Sequence, residues 1–301
     1  MHDCIVIGGG TAGMTAAIYL LRAGKGVLLL ESTALGGQIT ASARIENFPG
    51  LYGISGVEYA DKLAEQVYQF GGEIEPVEVD RVYREGDLFV VTTTDDDRYE
   101  GKSIIVASGA AHRHLGLERE ESLSGISYCA VCDGAFYKGK EVAVVGGGNA
   151  AVQSALSLAE LCSKVTLIHR RDGFRSEPVL LERLKKLPNV EIRTGRVVNR
   201  LLGEGHLDGL ELKAGEALET MPVDGLFIAV GQQPANEPFK ELVELDEGGY
   251  IVAGEDCCTA TPGVYAAGDC RTKPIRQLVT AAGDGATAGL AASAYRDGLN
   301  D

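Results

Sequence analysis

The chain has 301 residues, of which 45% are hydrophobic and 24% charged, and its formal net charge is −15. This length predicts about two domains with a sizeable core, and no apolar run reaches the ~20 residues that a membrane-spanning helix needs. The acidic charge argues against a nucleic-acid-binding protein, because phosphate contacts need clustered Lys and Arg side chains.

The first predicted elements form a strand, a glycine-rich turn, a helix and a second strand. The first strand covers Cys4 to Ile7, the helix residues 12–23 and the second strand residues 27–30, closed by Glu31. The glycine pattern G-x-G-x-x-G consists of Gly8, Gly10 and Gly13. These glycines allow a tight turn and a close approach of a pyrophosphate to the helix N-terminus. With an acidic residue at the end of the second strand, the pattern predicts dinucleotide binding.

A C-x-x-C pair, Cys129 and Cys132, lies near the middle of the chain and is followed directly by Asp133. Alone, such a pair fits either half of a zinc site or a redox-active dithiol. A second C-x-x-C is missing, and His112 and His114 have no third ligand nearby in the sequence. We therefore favour a redox pair without a metal, in which Asp133 exchanges a proton with a leaving thiolate.

The cysteine count also bears on the cellular compartment. Seven cysteines are an odd number, and the N-terminus MHDCIVIGGG has no signal-peptide pattern. Both features predict a cytoplasmic protein in which any disulfide is catalytic. The sequence assigns no redox role to the other five cysteines, which are Cys4, Cys162, Cys257, Cys258 and Cys270.

A second copy of the dinucleotide pattern follows the dithiol. A strand from Glu141 to Val145 leads into G-x-G-x-x-A, and a helix over residues 149–161 and a strand over 164–168 come next. This second pattern consists of Gly146, Gly148 and Ala151.

The two copies differ where the second strand ends. The first has Glu31 there, whereas the second has the segment HRRDGFR, which contains His169, Arg170, Arg171 and Arg175. A carboxylate accepts hydrogen bonds from a free ribose hydroxyl and repels a phosphate, while guanidinium groups bind phosphate through charge-assisted bonds. We therefore expect the first copy to bind FAD or NAD and the second to bind NADP(H).

The C-terminal segment returns to the first fold. A strand over residues 263–267 ends at Gly268 and Asp269, and a helix follows from Arg276 or Gln277. These elements have no counterpart in the second copy. The sequence therefore predicts an α/β protein with two Rossmann-like, three-layer dinucleotide-binding domains, the second inserted into the first. The first domain would comprise residues 1–111 and 242–301, and the second, carrying the C-x-x-C pair, residues 112–241. Asp269 beside a helix N-terminus suits the ribityl and ring end of a flavin.

Several segments together resemble the bacterial-type, low-molecular-weight thioredoxin reductases. They are CAVCDGAFYKGKEVAVVGGGNAA, HRRDGFR, LGGQI, ENFPG and GVYAAGDCRTKPIRQLVTAAGDGA. The resemblance covers essentially the whole chain in order. It implies a homodimer with one FAD per subunit, which transfers reducing equivalents from NADPH through FAD and the dithiol to oxidised thioredoxin. Two segments depart from the family pattern: ASGA stands where ATGA is usual, and GQQPANE where a Pro-Asn-Thr-like turn is common.

The resemblance also implies a role for each site residue. Cys132 would face the flavin, Cys129 would attack the protein substrate, and Asp133 would act as the acid–base residue. The FAD site would use Gly8, Gly10, Gly13, Glu31, Gly37, Gln38, Asn47, Gly268, Asp269, Arg276 and Gln277. The NADPH site would use Gly146, Gly148, Asn149, Ala151, His169, Arg170, Arg171 and Arg175.

Other functions share part of this pattern. One alternative is a flavin reductase of another dithiol carrier, such as a glutaredoxin-like protein or a peroxiredoxin system. A ferredoxin-fed relative is another, but such an enzyme has no use for the arginines of HRRDGFR. A flavin-bound redox sensor belongs to a different class, and it would turn over once rather than continuously.

Overall fold

The computed structural model describes residues 1–42 and 44–298. The chain divides into two compact units, one formed by Met1–Ala111 with Gln233–Asp301 and the other by His112–Gln232. The chain rejoins the first unit at Gln233 rather than near residue 242, because Phe239, Leu242 and Val243 are buried in the core of that unit. No helix within the described residues is both long and apolar enough to cross a membrane.

The N-terminal part of the first unit supplies most of its elements. Its strands are β1 (Cys4–Ile7), β2 (Val27–Glu31), β3 (Glu73–Pro76), β4 (Val79–Glu85), β5 (Leu88–Thr93), β6 (Arg98–Gly101) and β7 (Ile104–Val106). Its helices are α1 (Thr11–Arg22) and α2 (Gly56–Gln69).

The chain passes between the units through β8 (Ala110–His112) and β17 (Gln232–Pro234), which pair with each other. The strands of the second unit are β9 (Ile126–Ser127), β10 (Glu141–Val145), β11 (Lys164–His169), β12 (Val190–Thr194), β13 (Val197–Leu202), β14 (Gly209–Ala214), β15 (Ala217–Pro222) and β16 (Gly225–Ile228). Its helices are α3 (Ala130–Asp133), α4 (Asn149–Ala159) and α5 (Pro178–Lys185). The first unit is then completed by β18 (Val264–Ala266) and α6 (Leu278–Gly298).

The first unit is built in three layers around a parallel sheet with the order β18-β7-β1-β2-β3. Successive side chains of a strand point to opposite faces of the sheet. Both faces of this sheet are covered, so β1 is apolar throughout. Cys4 and Val6 pack on the side of α1 and α6, whereas Ile5 and Ile7 pack towards Phe89 of the antiparallel sheet β4-β5-β6. The helices thus cover one face of the parallel sheet and the small sheet covers the other.

The second unit repeats this arrangement with the parallel order β12-β11-β10-β16-β9. Val142 and Val144 of β10 pack in one core with Val152 of α4, and Ala143 packs in another with Leu210 of the antiparallel sheet β13-β14-β15. The predicted α/β class with two Rossmann-like folds is confirmed.

Small residues let α6 lie close to α1. A Cβ atom at Gly285 would collide with the carbonyl of Ala12, and Ala288 and Ala292 are fully buried. The predicted C-terminal helix is present, although it begins at Leu278 rather than at Arg276 or Gln277.

Helix α2 was not predicted, although the sequence carries a signal for it. Ser55 is its N-cap, and the Ser55 hydroxyl accepts a hydrogen bond from the Glu58 N–H at 3.1 Å. The spacing S-x-x-E is that of a capping box.

Candidate functional site

The first glycine turn joins β1 to α1. Gly8 has φ +107°, which favours glycine, and a side chain there would collide with the carbonyl of Ala107. Gly13 has no room for a side chain because it packs on the carbonyl of Gly8. Gly10 is the N-cap of α1, and no described side chain caps the first N–H groups of this helix. Those N–H groups and the helix dipole suit a phosphate.

Glu31 ends β2 beside this turn. Its Oε2 accepts a hydrogen bond from the Gly9 N–H at 2.6 Å, and its Oε1 accepts from the Thr33 N–H at 2.9 Å. The Thr33 hydroxyl also donates to Oε1 at 3.0 Å, so about one of the four lone-pair positions of a carboxylate is left for a ribose hydroxyl. Gly37 and Gln38 lie close by, in a short 3₁₀ helix, and the Gly36 N–H donates to the Gly9 carbonyl at 2.8 Å.

The C-terminal part of the first unit brings four more predicted residues together. Asn47 Nδ2 donates to Gln277 Oε1 at 3.2 Å, and Arg276 Nε donates to the Asp269 carbonyl at 3.2 Å. Gly268 has φ +84° and packs against Ala12 at the start of α1. Asp269 Oδ1 is buried and has no hydrogen-bond partner among the described residues, and burial raises the pKa of this carboxyl. A buried acceptor without a partner fits a ligand that donates a hydrogen bond to it.

A network of buried charged side chains connects the loop between β18 and α6 to α6 itself, and the sequence did not indicate this network. Asp284 of α6 binds Arg271 through two bonds of 2.8 Å and Lys273 through one of 2.8 Å, and it accepts the Gly268 N–H at 2.9 Å. Arg271 is 1% exposed. These bonds keep the pKa of Asp284 low against the opposing effect of its burial.

The two departures from the family pattern contact each other. Ser108, in ASGA, donates a hydrogen bond from its hydroxyl to Asn236 Oδ1, in GQQPANE, at 2.8 Å. Asn236 is buried, and its Nδ2 donates to the carbonyls of Gly249 and Cys270. The pair thus fixes the loops around β18.

The second glycine turn joins β10 to α4 in the same way as the first. A side chain at Gly146 would collide with the carbonyl of Ala229, and Ala151 is fully buried against this glycine. Gly148 is the N-cap of α4, whose first N–H groups also have no cap from a described side chain. Ala151 therefore serves helix–strand packing, while the N-terminus of α4 is available to a phosphate.

Hydrogen bonds connect the basic segment HRRDGFR, at the end of β11, to the second glycine turn and the start of α4. The Arg175 N–H donates to the Gly147 carbonyl at 2.7 Å, and Asn149 both accepts from the Glu177 N–H and donates to its carboxylate. Arg170, Arg171 and Arg175 are exposed. The predicted residues of the second set thus lie together at one end of the parallel sheet.

His169 differs from the three arginines because its ring is buried. It packs directly over Gly147 and against Phe174, and its Nε2 lies 3.1 Å from the Gly173 carbonyl. Burial lowers its pKa, with a contribution from the neighbouring arginines. A neutral His169 whose Nε2–H donates to Gly173 shapes the segment that presents the arginines.

Cys129 and Cys132 form a disulfide, with their Cα atoms 5.3 Å apart. Cys129 is half-buried at the N-cap of α3, and Cys132 is exposed within the helix. Asp133 ends this helix, so the carboxyl and both sulfur atoms belong to one short segment.

Two residues near the dithiol were missed by sequence reasoning. The Ser127 hydroxyl donates to Asp133 Oδ2 at 2.7 Å, and the Tyr128 hydroxyl donates to the buried Glu120 at 2.8 Å. Tyr128 also lies 2.8 Å from His114 Nδ1 and stacks on His112. His112 and His114 are therefore packing and hydrogen-bonding partners of Tyr128.

The other cysteines are separate from the dithiol. Cys258 is exposed, and the remaining free cysteines are buried: Cys4, Cys162, Cys257 and Cys270. Burial raises the pKa of Cys257 to about 12 and that of Cys270 to about 11, so these thiols do not ionise readily.

Known proteins resemble this chain over nearly its whole length. Residues 2–285 match the family model described as pyridine nucleotide-disulphide oxidoreductase. The chain belongs to this family. It is 42% identical to a thioredoxin reductase of Listeria innocua, over 100% of this chain and 96% of the relative. It is also 42% identical to one from Helicobacter pylori, over 98% and 99%. The crystal structure of a thioredoxin reductase from Streptococcus pyogenes superposes with a TM-score of 0.94 at 38% identity, covering 99% of each chain.

These findings confirm the resemblance seen in the sequence. The chain is a flavoprotein oxidoreductase of the thioredoxin reductase type, and family membership implies a flavin and a pyridine nucleotide. The similarities do not favour the alternative of a different dithiol carrier or a sensor.

Proposed function

We propose that this enzyme reduces oxidised thioredoxin with NADPH, and that FAD and the Cys129–Cys132 pair carry the electrons between them. One observation carries the proposal. A C-x-x-C disulfide lies next to a carboxyl group in a chain that has two glycine turns, one ending in an acid and one in a cluster of arginines.

FAD is the ligand that we assign to the first unit. The uncapped N-terminus of α1 suits the pyrophosphate, Glu31 suits the ribose hydroxyls, and the unpartnered Asp269 Oδ1 suits a donor on the ribityl chain or ring. The other residues assigned to this site are Gly8, Gly10, Gly13, Gly37, Gln38, Asn47, Gly268, Arg276 and Gln277. When bound, FAD supplies a redox group that takes an electron pair from the nicotinamide and gives it to a disulfide.

NADPH is the ligand that we assign to the second unit. Arg170, Arg171 and Arg175 are exposed beside the glycine turn, where guanidinium groups can bind a 2′-phosphate through paired hydrogen bonds. Gly146, Gly148 and Asn149 shape the pyrophosphate site, and Ala151 and His169 support it by packing.

The dithiol and Asp133 carry out the thiol chemistry. We assign Cys132 to exchange with the flavin, Cys129 to the attack on the substrate disulfide, and Asp133 to proton transfer between the sulfur atoms. The position of Asp133 directly after Cys132 in α3 supports this assignment.

The remaining assignments concern partners and location. We propose that the enzyme is a cytoplasmic homodimer with one FAD per subunit. Light scattering of the FAD-loaded protein tests the dimer: a mass near twice 31.7 kDa supports it, and a mass near 31.7 kDa contradicts it.

A turnover experiment tests the function itself. The FAD-loaded protein is mixed with NADPH and oxidised thioredoxin, and the absorbance of NADPH is followed through many equivalents. Continuous oxidation of NADPH with thioredoxin, and much slower oxidation of NADH, supports the proposal. Faster turnover with a glutaredoxin-like protein or a peroxiredoxin would assign another carrier, and oxidation that stops after one equivalent would indicate a sensor.

A further inference from the structure

Ser127 is fixed by the sheet of the second unit. It is the last residue of β9, where it pairs with Phe227 of β16, and it is 4% exposed. Phe227 is itself buried in the core next to α4. The Ser127 side chain therefore starts from a strand of the parallel sheet, whereas the dithiol lies on the short helix that follows.

The Ser127 hydroxyl makes contacts on both sides of the C-x-x-C segment. It donates to Asp133 Oδ2 at 2.7 Å and accepts the Cys129 N–H at 3.0 Å. The Cys129 carbonyl is a second acceptor within its reach, at 3.4 Å. One hydroxyl thus connects the carboxyl group to the backbone of Cys129.

We propose that Ser127 is a positioning residue that holds the Asp133 carboxyl beside the two sulfur atoms in both of its protonation states. The inference rests on the proposed acid–base role of Asp133. A hydroxyl has one donor and two acceptor positions, so it can serve either form of the acid. It donates to the carboxylate, as in this structure. When Asp133 is protonated, the acid donates to Ser127 Oγ and the hydroxyl turns to the Cys129 carbonyl.

Asp133 must alternate between carboxylate and carboxylic acid, because it carries one proton from each of the two thiols to the substrate. In the first exchange, the Cys129 sulfur attacks the substrate disulfide, a mixed disulfide forms, and Asp133 carries the proton of the Cys129 thiol to the leaving substrate sulfur. In the second exchange, Cys132 attacks Cys129, the mixed disulfide breaks, and Asp133 carries the Cys132 proton to the second substrate sulfur. The enzyme dithiol is oxidised to a disulfide, and the substrate disulfide is reduced to a dithiol. The carboxyl returns to its starting state after each exchange.

The test is a double-mutant cycle with Ser127→Ala and Asp133→Asn in the FAD-loaded enzyme. Ser127→Ala should lower kcat with thioredoxin about tenfold and leave KM unchanged, which is less than the ~10²–10⁴-fold loss of a complete acid–base group. In the Asp133→Asn background, the same change should have no further effect. Ser127→Thr keeps the hydroxyl and should restore most of kcat.

Ser124→Ala is the matched control. Ser124 lies three residues earlier and its hydroxyl donates to the Gly205 carbonyl at 2.9 Å, away from Asp133. This variant should keep the wild-type kcat. Thermal unfolding of each variant then shows whether a lower kcat reflects lost stability.

The proposal is overturned if Ser127→Ala keeps the wild-type kcat, or if it slows the Asp133→Asn enzyme as much as it slows the wild type. The second result would mean that Ser127 acts without Asp133. Full activity of Asp133→Asn alone would overturn the acid–base assignment, and the inference from Ser127 with it, while NADPH-dependent turnover of thioredoxin would remain.

Discussion

The two glycine turns of this chain have the same architecture and differ in charge. In both, a buried strand meets a helix whose N-terminal N–H groups have no cap from a described side chain, and the glycines pack on neighbouring carbonyls. At the end of the next strand, one unit has Glu31 and the other has His169 followed by Arg170 and Arg171. Under the proposed function, the scaffold would provide a phosphate site in each unit, and the residue at the strand end would select between a ribose hydroxyl and a 2′-phosphate.

The comparison also shows how each strand end is supported. The Glu31 carboxyl accepts a hydrogen bond from the Gly9 N–H, which connects it to its own glycine turn. In the second unit, the buried His169 ring packs over Gly147, which is the residue that corresponds to Gly9. The glycine turn is thus supported by a hydrogen bond to a carboxyl group in the first unit and by packing of an imidazole ring in the second. Changes at these positions should therefore affect one ligand at a time.

The largest expected effect concerns the dithiol, which the second unit has and the first lacks. Cys129→Ser or Cys132→Ser should reduce thioredoxin-dependent NADPH oxidation to the uncatalysed background, because one thiol alone cannot complete the two exchanges. NADPH-dependent reduction of ferricyanide, which needs no dithiol, should persist in both variants. Retained reduction of thioredoxin by either variant would contradict the assignment of the pair.

The next effect concerns the arginines. Arg170→Ala combined with Arg171→Ala would remove the two proposed charge-assisted contacts with the 2′-phosphate, of about 1.5–3 kcal/mol each, so kcat/KM for NADPH should fall about 10²–10⁴-fold. With NADH the value should change little, and FAD should stay bound. Arg183→Ala with Lys186→Ala removes two charges elsewhere in the unit and is the control. Equal losses with NADH and NADPH would contradict a 2′-phosphate site.

Much of this comparison could be predicted from the sequence, because its signals are local. The glycine patterns, the apolar strands and the acid or arginines that follow them stand at fixed spacing, and the observed β1 and β10 have the predicted bounds. Contacts between distant segments left no such signal. Asp284 lies 13 residues from Arg271, and Ser108 lies 128 residues from Asn236, so only the folded chain reveals these pairs. The sequence predicts His169 as part of the NADPH site beside three arginines, but it does not reveal that the ring is buried over Gly147.

A smaller effect is expected at Glu31. Glu31→Gln keeps the size of the side chain but removes its charge, so the affinity for FAD should fall about 10–100-fold, as for the loss of a charge-assisted hydrogen bond. Equilibrium dialysis with FAD measures this change, and the affinity for NADPH should remain that of the wild type. Glu75→Gln, on the neighbouring strand β3, provides a control at an exposed position. Parallel losses of FAD and NADPH affinity would show that the two turns are not independent.

The smallest expected effect concerns the protonation of His169, the residue that occupies in the second unit the position of Glu31 in the first. Burial lowers the pKa of His169 in the folded protein below its usual value of about 6.5, so the unfolded chain binds more protons near that pH. The stability that His169 contributes is complete above pH 6.5 and is lost as the pH falls towards its folded pKa.

The variant His169→Gln tests this dependence, because it keeps an N–H group to donate to the Gly173 carbonyl and does not titrate. The free energy of unfolding of wild type and variant is measured in urea from pH 7.5 to 5. The value for the wild type minus that for the variant should decrease as the pH falls. His2 and His112, whose pKa values are also lowered, titrate in both proteins and cancel in this difference. A difference that stays constant with pH would mean that His169 is protonated to the same extent in the folded protein and in the unfolded chain, and that its burial does not disfavour the charged form.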